Sequence, residues 1–114
     1  MYKILWLSRH RPLPSQIKEL ERLFGSISLI IDSKPFSSAE EIKERMERLK
    51  VDDIVAVAPL SVIQRLTELG IKPLWAEMQV CNKEEAEVEA NGRYYKFIKF
   101  RRIKDVKIEY EDLK

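Results

Sequence analysis

Three glycines, one cysteine and one histidine in 114 residues each remove a class of chemistry. Gly25 and Gly70 fall where helices should end and Gly92 falls in an Asn-Gly turn, so no glycine remains for a loop wrapped around nucleotide phosphates. ATPase and dinucleotide-dependent readings lose their main motif. With Cys81 and His10 alone of their kinds, the chain has neither a disulfide framework nor a zinc site of ordinary spacing, and a cysteine nucleophile would have to join His10 to Cys81. No metal and no cofactor is expected. Apolar runs stay well short of the roughly 18 residues a membrane span needs, and Met1 to His10 begins directly with a strand rather than a secretory signal. A cytoplasmic, non-membrane location is the expectation.

What is present is a 45% hydrophobic and 35% charged composition, enough to bury about two-thirds of the unfolded surface in one core. Residues 1–114 therefore read as a single domain. Many Lys and Glu beside two Asn and three Gln resemble the usage of hyperthermophiles. A net charge of +2 does not mark a nucleic-acid binder, but the charge is uneven. Between Arg93 and Lys107 there are seven basic residues and one acid, Asp105.

Tyr2 to Leu7 fits a short buried strand ending in the polar run Ser8-Arg9-His10. Ser15 is placed to cap a helix carrying Ile17, Leu20, Leu23 and Phe24 on one face, and Ser26 to Ile31, closing at Asp32, reads as a second strand. Ser38 and Glu41 match a capping box before the stripe Ile42, Met46, Leu49; Asp53 to Ala58 is a third strand. Ser61 with Gln64 matches another box ahead of Val62, Ile63, Leu66 and Leu69, and Ile71 to Met78 is a fourth strand. Strands alternating with helices imply an α/β fold: a Rossmann-like parallel sheet of βαβαβαβ order flanked by helices. After residue 84 the pattern changes to an antiparallel extension. Asn91-Gly92 marks a hairpin leading into Arg93 to Phe100, and Val106, Ile108 and Tyr110 alternate with charged residues as a final strand should.

In open α/β sheets ligands bind beyond the carboxyl ends of the strands. That rule gathers Ser8, Arg9 and His10 after the first strand, Asp32 to Lys34 after the second, Pro59, Leu60 and Ser61 after the third, and Glu77 after the fourth. A cationic, hydroxyl-bearing site beside a helix N-terminus suits phosphate. Each feature also has an ordinary structural explanation. Ser8-Arg9-His10 is what any solvated strand end looks like, and Ser61 is explained as an N-cap. Asp32-Ser33-Lys34 resembles half of a metal-nuclease motif but lacks a convincing second carboxylate. The Arg93 to Phe100 segment resembles the aromatic strand of an RRM at several positions, yet Tyr94 and Lys96 stand where small residues belong, and lysines on an edge strand also discourage aggregation.

Three segments carry a family resemblance: the strand ending in Ser8-Arg9-His10, the Asp52 to Leu60 strand running into a helix, and Phe97-x-x-Phe100-Arg101. In that order they resemble small CRISPR-associated proteins with a CARF-like, Rossmann-like domain, a group that includes stand-alone ring nucleases. The resemblance implies a homodimer that binds a cyclic oligoadenylate, typically the four-nucleotide ring, and cleaves it without metal in antiviral defence. Catalysis would fall to His10, Arg9 and Ser8, with Pro59, Leu60, Ser61, Asp32, Lys96, Lys99 and Arg101 as ligand-binding candidates. The ligand chemistry supplies its own nucleophile, a ribose 2'-hydroxyl beside each phosphate. His10 is the side chain suited to proton transfer near neutrality, Arg9 to phosphate charge, and Ser8 to holding ribose or phosphate. The alternative is a non-catalytic module that binds a nucleotide or nucleic acid in the same cleft, and a third reading is an interaction protein with no small ligand.

Overall fold

The apolar run Ile4 to Leu7 has no polar face, and it becomes the buried half of the central strand β1, Tyr2–Leu7. The structure is a computed structural model describing residues 1–113. After β1 come α1 (Pro14–Phe24), β2 (Ile27–Asp32), α2 (Ala39–Leu49), β3 (Asp53–Ala56), α3 (Leu60–Glu68) and β4 (Leu74–Cys81). A 3₁₀ turn at Lys83–Glu85 leads to β5 (Val88–Ala90) and β6 (Arg93–Arg102). The six strands form one mixed sheet in the order β2-β1-β3-β4-β6-β5. β2, β1, β3 and β4 run parallel, and β6 pairs antiparallel with β4 and β5.

Side chains alternate across β1 and sort the core into two layers. Ile4 and Trp6 pack with Leu20 of α1 on one face, and Leu5 and Leu7 pack with Ile42 of α2 and Ile63 and Leu66 of α3 on the other. The chain thus steps from β1 to β2 over one face, then reverses both direction and face for β3 and β4, which keeps all crossovers of one hand as βαβ units require. β3 and β4 share a single register pair, Val55 with Leu74. From Trp75 onward β4 has only β6 beside it, and β4, β6 and β5 form an antiparallel arm rising past the end of β3. Asn91 and Gly92 both take positive φ, 52° and 75°, in the tight turn between β5 and β6.

Three local expectations are corrected. Ser15 does not cap α1: Pro14 takes the first helical position, Leu13 becomes the N-cap, and the Gln16 amide oxygen reaches back to the Leu13 N–H at 2.8 Å. Ser61 does not cap α3 either. Pro59, at φ −58° and ψ 150°, breaks the chain just before Leu60, so Ser61 is already inside the helix and the end has no side-chain cap. The third expectation, a strand at Val106 to Tyr110, fails: Ile103 and Val106 turn in to pack on the core, no sheet pairing forms, and residues 103–113 hold no regular structure. Ser38 does cap α2, accepting the Glu41 N–H at 3.2 Å, while the Glu41 carboxylate turns to the Ser37 N–H instead of closing the box. No helix among the described residues is long and apolar enough to cross a membrane.

Candidate functional site

Strand order reverses at β1, whose neighbours β2 and β3 are reached in opposite directions, and the crevice outside such a reversal is where open α/β sheets bind ligands. Two loops wall that crevice. The first, after β1, is held by three hydrogen bonds. The Trp6 indole N–H donates to the His10 carbonyl at 2.8 Å, the His10 N–H donates to Ser8 Oγ at 3.1 Å, and Gln16 takes the Leu13 N–H. Trp6 can reach because it is wedged edge-on against Phe100 of β6, ring centres 6.4 Å apart, and a buried indole needs a partner for its N–H.

The second loop, after β2, is organised by a buried cation. Arg45 of α2 is only 6% exposed. Its guanidinium donates to the Lys34 carbonyl at 3.0 Å and to Asp32 Oδ2 at 3.4 Å, and also to the Pro35 carbonyl and the Glu41 carboxylate. Asp32 Oδ1 accepts the Lys34 N–H at 2.9 Å, a local turn at the strand end. Glu41 accepts from the Ser37 hydroxyl and N–H as well as from Arg45, and those bonds, the hydroxyl first, lower its carboxyl to about 2 from 4.5. The loop is a folded wall in which every carboxylate is spoken for.

Between the walls lies a cavity of about 300 Å³ lined by Ser8, Arg9, His10, Asp32, Ser33 and Lys34, with Leu7, Pro35, Phe36 and Val57 completing it. The candidates Ser8, Arg9, His10 and Asp32 thus come together, although Asp32 spends its oxygens on Lys34 and Arg45. The side chains of Arg9, His10 and Lys34 make no hydrogen bond or ion pair with protein among the described residues. Ser8 accepts from His10, which leaves its own O–H free to donate.

Other candidates sit elsewhere. Pro59, Leu60 and Ser61 start α3 and do not line the cavity; Val57, the first residue after β3, is what that connection contributes. Lys96, Lys99 and Arg101 stand on β6, separated from β1 by β3 and β4. Lys96 is ion-paired to Glu85 at 2.9 Å, which raises its pKa, and Arg101 to Glu77 at 3.1 Å. The basic run is partly neutralised in space. Among the described residues no group of three or more His, Cys, Asp or Glu could hold a metal ion.

Two residues outside the candidate set shape the site. Arg45 lies three residues after Ile42 and one before Met46, on the apolar stripe of its own helix, and a lone arginine at core spacing signals a buried partner. Trp6 gave the same signal, an indole inside an apolar strand.

A second, larger cavity of about 440 Å³ lies at the opposite end of the strands. There Asp53 accepts from the Tyr2 hydroxyl at 2.8 Å, from Arg102 at 2.7 and 2.8 Å and from the Ile54 N–H at 2.9 Å, while Asp52 accepts the Lys3 N–H at 2.8 Å. Burial and the Asp53 bond push the Tyr2 hydroxyl above its ordinary 10.0, and the Asp53 bond raises Arg102.

Compared with protein-family models, with curated proteins and with solved structures, the chain matches none.

Proposed function

We propose that the cavity at the carboxyl ends of β1 and β2 binds the phosphate and ribose of a nucleotide unit, and that the protein is a homodimeric ring nuclease for cyclic oligoadenylate. The observation that carries this reading is the convergence of Arg9, His10 and Lys34, three basic side chains without protein partners, on one crevice with a free serine hydroxyl. Its 300 Å³ sits at the low end of small-molecule sites, room for about one nucleotide. A ring of four therefore needs a second copy, and a two-fold axis supplies it. The strand order β2-β1-β3-β4 and the split of helices between faces support a Rossmann-like classification, on which the CARF-like resemblance also depends.

Cleavage of the ring needs alignment more than a strong nucleophile. The 2'-oxygen attacks the adjacent phosphorus, the bond from phosphorus to the 5'-oxygen breaks, and the products are a 2',3'-cyclic phosphate and a 5'-hydroxyl. One proton leaves the 2'-hydroxyl and one reaches the departing 5'-oxygen, so the step balances with no added reactant. His10 is the group for one of these transfers, Arg9 and Lys34 meet the charge building on the phosphoryl oxygens, and Ser8 donates to ribose or phosphate. The loop's bonds to Trp6 and Gln16 hold this set in place before the ligand arrives.

Incubating the purified protein with labelled cyclic tetra-adenylate in EDTA tests the proposal. Linear products ending in a 2',3'-cyclic phosphate are expected. Tight retention of an intact ring would replace the nuclease with a binding module, and neither cleavage nor binding would remove the ligand class altogether.

A further inference from the structure

Strand β6 is ten residues long, but β5 covers only Arg93, Tyr94 and Tyr95 of its outer side. Beyond Tyr95 that side has no strand neighbour among the described residues. The Phe97 N–H is taken by the Glu87 carboxylate at 2.8 Å, and from Ile98 to Arg102 the edge is open, with Ile98, Lys99, Arg101 and Arg102 exposed. An open edge of this length is a template for another strand. The chain also holds a strand without a template. Val106, Ile108 and Tyr110 alternate with polar residues, yet no ladder forms there. The apolar stripe is covered at Val106, which packs against the α2 and α3 layer, then 41% exposed at Ile108 and 85% at Tyr110.

We propose that residues 107–113 of one copy add as a strand to the open half of β6 in a second copy, and that the exchange is reciprocal. Charge selects the edge. The tail carries Glu109, Glu111 and Asp112 against one Lys107, and the open half of β6 carries Lys99, Arg101 and Arg102, of which Lys99 has no ion-pair partner among the described residues. The other open edges carry no cation: β2 ends at Asp32, the side of β4 left free by β3 beyond Trp75 carries Glu77, and β5 carries Glu89, so each repels the tail. The tail is led away from its own edge. The Ile103 N–H bonds to the Pro73 carbonyl on the β4 side of β6, and Val106 then enters the core under α2 and α3, so the free edge lies on the far side of the strand. Pairing in trans gives the tail's amides and its exposed apolar side chains a partner. It is independent of what the cavity binds.

Sedimentation velocity across a concentration series is the experiment, with hydrogen exchange at the outward-facing amides of Phe100 and Arg102 as a second readout. The comparison is between the full chain, a chain ending at Val106, the edge variant Lys99→Glu, the tail variant Glu109→Lys/Glu111→Lys, and the edge and tail changes combined. The full chain should dimerise and protect those amides as it does so. Ending the chain at Val106 should weaken the dimer at least about ten-fold and expose them. Each charge reversal should weaken it in a salt-dependent way and the combination should recover most of the loss. These positions are exposed, so the charge variants decide the matter even if the shortened chain folds poorly. A chain that stays monomeric, or amides protected equally in the monomer, would overturn the exchange. So would a dimer indifferent to truncation, which would place the dimer contact elsewhere and leave the nuclease proposal standing.

Discussion

The two ends of the parallel strands carry similar residues and use them in opposite ways. At the amino ends, around the larger cavity, Tyr2, Asp53 and Arg102 satisfy one another and Asp52 is spent on the backbone of Lys3. At the carboxyl ends, around the smaller cavity, Arg9, His10 and Lys34 are left over while the acids beside them are consumed by Arg45 and by main-chain N–H groups. Cavity volume therefore misleads here. What separates a latch from a site here is whether the acid at its centre is already closed by the cations around it. Lys72 and Lys104 stand unpaired among the described residues at the rim of the larger cavity, but its centre is the closed set of Tyr2, Asp53 and Arg102, which ties the end of the β6 arm to the first residues of β1 and β3.

The largest effect expected from this contrast is at His10. His10→Ala should slow single-turnover cleavage by roughly 10² to 10⁴ with little change in ring binding or melting temperature. Arg9→Ala should weaken binding and cleavage together. Full activity in both variants would reduce Ser8-Arg9-His10 to a solvated strand end. The mirror experiment is Asp53→Ala, which removes a carboxylate only 4% exposed and with it the acceptor shared by the Tyr2 hydroxyl, the Ile54 N–H and the Arg102 guanidinium. It should cost about 2–4 kcal/mol in urea unfolding and leave the affinity of the surviving folded protein unchanged. A stable Asp53→Ala that had lost its ligand would exchange the roles of the two ends.

Between these extremes stands Trp6, which belongs to the core by its ring and to the site by its N–H. Trp6→Phe keeps most of the packing against Phe100 and removes one hydrogen bond, so a stability loss of about 1 kcal/mol is expected. Freed from its carbonyl anchor, His10 should then lose more in cleavage rate than in ligand affinity. Equal losses in both would mean that the indole supports the loop generally and does not set the histidine's position.

How far the sequence carried this comparison depended on distance along the chain. Continuous apolar runs announced β1, β2 and β3, and strand ends announced the first two loops, because burial and chain direction are local facts. Ser15 and Ser61 failed as caps because a neighbouring proline set each helix start two residues earlier, a contest that composition does not reveal. The cationic run of β6 could not be discounted without knowing that Glu77 and Glu85 fold back beside it. Arg45 was legible in principle, as an arginine on an apolar stripe, but its partners are main-chain carbonyls, to which sequence is blind.

The smallest effect expected is a pH dependence at the carboxyl-end loop. The folded protein holds the Glu41 carboxyl near about 2, against an ordinary 4.5, through the Ser37 hydroxyl, the Ser37 N–H and Arg45. Folding therefore favours the ionised form: the unfolded chain takes up this proton first, and the group's contribution is fully present above 4.5 and lost as pH falls from there towards about 2. The Glu41 side chain is still about one-third exposed, so solvent screening keeps the gain small. Because Glu41 and Arg45 jointly brace residues 34–37, what protonation of Glu41 loosens should be the second wall of the cavity. Measured over that window, the urea midpoint of the wild type should fall relative to Glu41→Gln, and ligand affinity should fall alongside it. Parallel curves for the two proteins would mean that Arg45 and the main-chain carbonyls hold the wall unaided, and the loop would then be as self-sufficient as the latch at the opposite end.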